Sequence, residues 1–202
     1  MSEATAPRHL PDRLGSRTKD IVYSWETLLL LVLLAVFTIN SFASPYFLDP
    51  WNLSDATFNF TEKALIALAM ALLIISGEID LSVAAIVALA STATGYIASI
   101  GGGTGAMVLA GILTGLACGA FNGLLVTRFK LPSIVVTIGT MSLFRGMSFI
   151  VLGDGVFKGY PADFAFFGQG YVWWVFSFEF VFFLCAAAIY AVLLHKTNFG
   201  RL

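Results

Sequence analysis

Residues 64–100 read ALIALAMALLIISGEIDLSVAAIVALASTATGYIASI. Two apolar runs flank the turn SGEIDLS (76–82), and the charged residues of the stretch, Glu78 and Asp80, fall where one run gives way to the next. Gly77 suits the C-terminus of a helix, and Asp80 suits a cap for the following one, its carboxylate accepting from the backbone N–H of Ser82 or Val83. The helix dipole favours a negative charge at that place. A catalytic pair of acids is the sharper alternative. Two acids two residues apart diverge on a helix, however, and no basic side chain lies close in sequence to complete a constellation. The turn therefore reads as Gly77, Glu78 and Asp80 joining two antiparallel helices.

The rest of the chain repeats this theme. Of its 202 residues 58% are hydrophobic and 11% charged, more apolar surface than a soluble domain of this size can bury. The net charge of −1 gives no long-range field that would draw nucleic acid. The expected fold is all-α, a polytopic transmembrane bundle of six spans. They run over 25–43, a second ending at 75, then 81–100, 104–127, 132–152 and 171–194. The second apolar run, 64–75, covers only about twelve of the roughly twenty residues a span needs. Its helix either begins earlier, near Asn52 or Thr57, and carries Glu62 and Lys63 into the membrane, or it is broken. The 153–170 loop is the longest between spans, and Trp173 and Trp174 open the sixth as an interfacial belt would.

Residues 1–24, with Pro7, Pro11 and Gly15 among basic residues, read as a disordered tail ahead of a membrane domain over 25–202. Ser41-Phe42-Ala43 has the small-x-small look of a cleavage site, but the preceding tail is long for a signal peptide and several spans follow, which favours an uncleaved span. With the tail in the cytoplasm, Arg8, Arg13, Arg17, Lys19, Arg128, Lys130, Lys196 and Arg201 gather on the inner side and Lys158 remains outside. That is the positive-inside pattern of a multi-pass membrane protein with its N-terminus in the cytoplasm.

Within the spans, Gly111, Gly115, Gly119 and Gly123 recur every four residues on one helix face, where small side chains let a neighbouring helix approach. Lining a permeation path is the second reading of that stripe. Arg145, thirteen residues past Pro132, lies roughly 20 Å into a core about 30 Å thick. Glu179, eight residues past Tyr171 on the next span, lies roughly 12 Å from the opposite surface. The depths match, so an Arg145–Glu179 contact would offset part of the cost of burying either charge. Outward snorkelling of Arg145 is the alternative. Together with Glu62 these two residues are the candidate substrate path. Cys118 and Cys185 read as packing residues, with no metal-site spacing around them. The glycine-rich loop 101–105 lacks the Lys-Ser/Thr ending of a phosphate-binding loop.

Four stretches carry a resemblance. GEIDLSV (77–83), Asn122-Gly123, KLPSIVVTIGTMSLFRG (130–146) and HKTNFGR (195–201) occur in an order and spacing similar to the permease subunits of bacterial ABC sugar importers of the ribose, xylose and rhamnose type. Residues 45–64 and 151–171 look most like the rhamnose permeases. One position departs: the family usually has Gly-Gly-Ile-Asp-Leu-Ser, and Glu78 stands at the second glycine. The resemblance implies a translocation path for a sugar, with no cofactor bound by this chain and ATP used by a partner subunit. The implied partners are a cytoplasmic ABC ATPase, a second permease copy or a related permease, a periplasmic sugar-binding protein and the lipid membrane, with no nucleic acid. It also implies a longer protein of about ten spans, of which this chain is the N-terminal part, and no enzymatic activity of its own. Two other classes are kept beside it: an ion-coupled secondary transporter using Glu62, Glu179 or Arg145, and a membrane enzyme with Glu78 and Asp80 at its site.

Overall fold

The computed structural model describes residues 24–196. The expected disordered tail, apart from Ser24, and the segment from Thr197 to Leu202 lie outside the described residues. The chain divides into two units, residues 1–52 and 53–202.

In the first unit α1 spans Trp25–Ala43. Ser24 caps it, its Oγ accepting from the Thr27 N–H at 3.3 Å. None of its residues is buried within the chain, as expected of a helix whose sides face hydrocarbon. Its hydroxyls turn inward on the helix itself: Thr38 donates to the Leu34 carbonyl at 2.7 Å and Ser41 to that of Phe37 at 2.7 Å. In lipid no water replaces such bonds, so every polar group must find an internal partner. After α1 the chain folds back, with Phe47 edge-on to Phe37 at 5.4 Å.

Helix α2, Pro50–Ile75, crosses the unit boundary as one uninterrupted helix of 26 residues. The second span thus begins near Asn52, as in the first of the two readings above, and carries Glu62 and Lys63. Helix α3 is Val83–Ser99, α4 Thr104–Phe129 and α5 Ser133–Leu152. These three pack together around Ala85, Leu89, Cys118 and Phe144, with Ile86 and Met141 against them. Then come the short α6 (Ala162–Gln169), a two-stranded antiparallel ribbon of β1 (Tyr171–Trp173) and β2 (Phe176–Ser177), and α7 (Phe178–Lys196).

The structure bears on two expectations about the spans, their number and the start of the last. Among the described residues five helices, α1, α2, α4, α5 and α7, are long and apolar enough to cross a membrane. The sixth candidate, α3, has 17 residues, about 25 Å at 1.5 Å per residue, short of a core of about 30 Å. It is shortened because the Asp80–Ser82 turn occupies the start of the expected run. The final span likewise begins seven residues late, since Tyr171–Ser177 forms the ribbon. Trp174 sits at its tip with φ +48°, and both Trp173 and Trp174 are largely exposed.

The loop after α5 also folds onto α3. Phe157 packs edge-on to Tyr96 at 6.4 Å, and a Cβ on Gly95 would lie 2.6 Å from the Phe157 ring and 2.9 Å from the Tyr160 hydroxyl. By contrast, a Cβ on Gly115 would meet nothing within 4 Å. Gly95→Ala should therefore cost about 1–3 kcal/mol by overpacking, whereas Gly115→Ala should be neutral or gain up to about 1 kcal/mol in helix propensity. The temperature at which the detergent-solubilised chain loses its monodisperse peak checks both; equal shifts would contradict the packing described.

Candidate functional site

The turn at 76–82 is held from three sides. Helix α2 ends with the Gly77 N–H bonded to the Ile74 carbonyl at 3.0 Å and the Glu78 N–H to that of Leu73 at 2.9 Å. This double closure needs a left-handed residue, and Gly77 has φ +80°, where only glycine is unstrained. The next N–H, that of Ile79, donates to Ser133 Oγ on α5 at 3.3 Å. Asp80 then folds its carboxylate over the start of α3: Oδ1 accepts from the Ser82 N–H at 2.7 Å and from the Ser82 hydroxyl at 2.6 Å.

Ser82 is fully buried, and its Oγ also accepts from Asn122 Nδ2 on α4 at 2.8 Å. Because the serine proton already goes to Asp80, Oγ can only accept from Asn122, which fixes the orientation of the asparagine amide. The Asn122 carbonyl oxygen then points away from Ser82. It is buried and, among the described residues, has no hydrogen-bond partner. Such an acceptor costs about 1–3 kcal/mol of desolvation until something donates to it.

A cavity of about 300 Å³ opens beside this node. Its wall includes Glu78, Asp80, Asn122, Ser133, Thr137, Gly119 and Gly123. Thr137 donates to the Ser133 carbonyl at 2.8 Å, while a Cβ on Gly119 or Gly123 would meet nothing within 4 Å. The glycine stripe is thus used in two ways. At Gly111 a Cβ would come 3.0 Å from Thr94 Oγ1 of α3, close helix packing of the expected kind. Gly119 and Gly123 instead leave open space, and among the described residues nothing comes within 4 Å of a Cβ on Gly115 either.

The lining is mostly apolar, with carboxylates, an amide and hydroxyls set in it and, among the described residues, no Lys, Arg or His. Such a surface can accept hydrogen bonds from a neutral polyhydroxylated molecule and repels anions. Glu78, whose side chain the sequence left without a role, is half-buried on this wall.

Of the three residues expected along a path, Glu62 and Glu179 come near each other and Arg145 stands apart. Arg145 is exposed on α5, and among the described residues α5 packs chiefly against α3 and α4 rather than α7. The depth match with Glu179 assumed a helix from Tyr171; since α7 starts at Phe178, Glu179 lies in its first turn. There its Oε1 would stand 3.6 Å from a Cβ on Gly168 of α6, and the charge that acts on it is that of Glu62 on α2. Ser82, Ser133 and Thr137 were missed. Their signal was available: hydroxyls within a few residues of a helix end, in apolar surroundings. Asn122 entered only as part of a family motif.

Comparison with known proteins follows the same lines. Residues 52–202 match the family described as branched-chain amino acid transport system / permease component. The autoinducer 2 import system permease protein LsrC of Yersinia enterocolitica is 31% identical over 85% of this chain and 48% of its own length. The ribose import permease protein RbsC of Bacillus subtilis is 34% identical over 85% of this chain and 53% of its own length. The chain therefore spans about half the length of these relatives. No solved structure matches it.

If Asp80 holds the node as described, Asp80→Ala removes two bonds to a charged acceptor, each worth about 1.5–3 kcal/mol, and should lower the melting temperature of the purified chain clearly. Asp80→Asn keeps an acceptor oxygen in place and should lower it by less than half as much. Identical losses would show that the carboxylate is not the anchor.

Proposed function

The chain belongs to the family of branched-chain amino acid transport system permease components, and we propose that it serves as the membrane-spanning permease subunit of an ATP-driven importer of a neutral monosaccharide, rhamnose. In this reading the N-terminus is cytoplasmic and α3 completes six membrane segments. The cavity beside Asp80 and Asn122 forms part of the inner end of the translocation path. Partner subunits supply the rest: a cytoplasmic ATPase hydrolyses ATP, a second permease completes the pore, and a periplasmic binding protein delivers the sugar.

The observation that carries the proposal is the family match over 52–202. The relatives' names, a ribose permease and an autoinducer 2 permease, favour import of a small molecule. The cavity is compatible with a neutral, hydroxyl-bearing solute, since hydroxyls, one amide and two carboxylates are set in its mostly apolar wall and, among the described residues, no cation lines it. Rhamnose rests on the likeness of residues 45–64 and 151–171 to rhamnose permeases. For a neutral solute, selectivity comes from hydrogen-bond geometry and shape rather than from charged rings.

Uptake decides the matter. A strain lacking the gene should lose import of labelled L-rhamnose and regain it with the intact gene, and import should fall when ATP is depleted but persist when an uncoupler collapses the proton gradient with ATP held constant. Uptake of D-ribose alone would correct the sugar. Uptake that follows the gradient and ignores ATP would overturn the importer in favour of ion coupling.

A further inference from the structure

At the opposite end of α2 from the Asp80 node, we infer that Asp55, Phe58, Asn59, Gln169 and Tyr171 form a second sugar-contacting site, the vestibule through which a neutral monosaccharide enters; the inference rests on the permease reading. The two sites are separated along α2 by the eighteen residues from Asp55 to Leu73, roughly 27 Å of helix.

Helix α2 presents Asp55, Phe58 and Asn59 at i, i+3 and i+4, neighbours on one helix face. The ribbon brings Tyr171 across them: its ring stands edge-on to Phe58 at 5.6 Å and 89°, and its hydroxyl lies 3.5 Å from Asp55 Oδ1. The end of α6 adds Gly168 and Gln169. Between them is a cavity of about 490 Å³, inside the range of small-molecule sites.

This rim is built in advance of any ligand. The buried Ser54 donates its hydroxyl to the Val175 carbonyl in the ribbon turn. Thr57 Oγ1 and the fully buried Ser177 Oγ are 3.3 Å apart, and the Phe178 N–H closes onto the Gly170 carbonyl at 2.8 Å. Helix α2 and the ribbon are thereby tied on both sides of Tyr171, so a ligand need not order them and binding loses less entropy.

The chemistry suits a neutral polyol. Two aromatic rings offer an apolar surface for the C–H face of a pyranose. Each carboxamide supplies donors and an acceptor to adjacent hydroxyls. Asn59 uses one N–H on the Asp55 carbonyl, at 3.2 Å, leaving its second N–H and its oxygen. The Gln169 side chain has no partner among the described residues. Among the described residues no Lys, Arg or His lines the cavity and a single carboxylate does, which disfavours an anionic substrate and provides too few ligands for a metal.

The test uses spheroplasts carrying the intact protein with its partner subunits, in which Cys118 and Cys185 are replaced by Ser and Gln169→Cys is introduced. A membrane-impermeant maleimide should label this variant from outside. L-rhamnose at twice its dissociation constant should slow labelling about threefold, following 1 + [L]/Kd, and D-glucuronate should give no protection. Independently, Asn59→Ala should raise the half-saturating rhamnose concentration for uptake several-fold while leaving the maximal rate and the amount of protein in the membrane unchanged. No labelling from outside, labelling indifferent to rhamnose, or equal protection by glucuronate would overturn the vestibule. If rhamnose uptake by the parent strain persists in that case, the permease reading stands and only the site fails. Protection without any ATP-dependent uptake would have the reverse meaning.

Discussion

The hydroxyl of Ser82 is where three segments of the membrane domain are joined. It donates to Asp80 in the turn that ends α2, begins α3 from its own backbone, and accepts from Asn122 on α4. A buried serine with both donor and acceptor functions engaged is stable in an apolar interior; deprived of either partner it is costly. Since α3, α4 and α5 pack around a small apolar cluster, and hydrophobic driving force between helices is weak in lipid, this polar junction sets their register. Ile79 and Ser133 extend it to α5. The open space beside Gly119 and Gly123 exists because the helices are held by this junction and do not collapse onto the glycines.

A comparable constraint operates at the other end. The ribbon between α6 and α7 is short, yet it is fixed to α2 through Ser54 and Thr57, and the helices on either side of it meet through aromatic rings, Phe166 and Phe167 of α6 against Phe178 of α7 at 5.6 and 5.3 Å. It delays the start of α7, which places Glu179 near Glu62 rather than near Arg145. Both ends therefore use the same device, hydroxyls of Ser and Thr on one segment bonded to another, with the long apolar helices as spacers.

Much of this was legible in the residues. The helical class follows from composition, because only internally satisfied backbone survives in hydrocarbon, and the helix ends near Gly77 and Pro132 follow from local chemistry. The bond from Ser82 to Asp80 could be anticipated, since an aspartate two residues ahead of a backbone N–H closes a ring of fixed size. What could not be read depended on distant segments. The ribbon at 171–177 is apolar and aromatic like the helix after it, and only its bonds to Ser54 and Thr57, more than a hundred residues earlier, distinguish it. The Arg145–Glu179 contact failed for that reason: depth counted along a sequence is meaningful only where the counted residues are helical. The glycine repeat showed one face, which packs closely at Gly111 and stands open at Gly119 and Gly123; periodicity reveals which residues align and not what stands opposite each.

The unpartnered oxygen of Asn122 also bears on hydration. A volume of about 300 Å³, with a few polar groups set in a mostly apolar wall, has room for on the order of ten waters at about 30 Å³ each. A solute that enters therefore exchanges hydrogen bonds with water for similar ones with the wall, and the net enthalpy is small. Release of the displaced solvent then makes the main favourable contribution. Weak occupancy of this kind suits a conduit better than a receptor: a site must be favourable enough to enter and loose enough to leave, and an apolar and glycine wall with a few hydroxyls, two carboxylates and one unanswered carbonyl oxygen is compatible with both conditions.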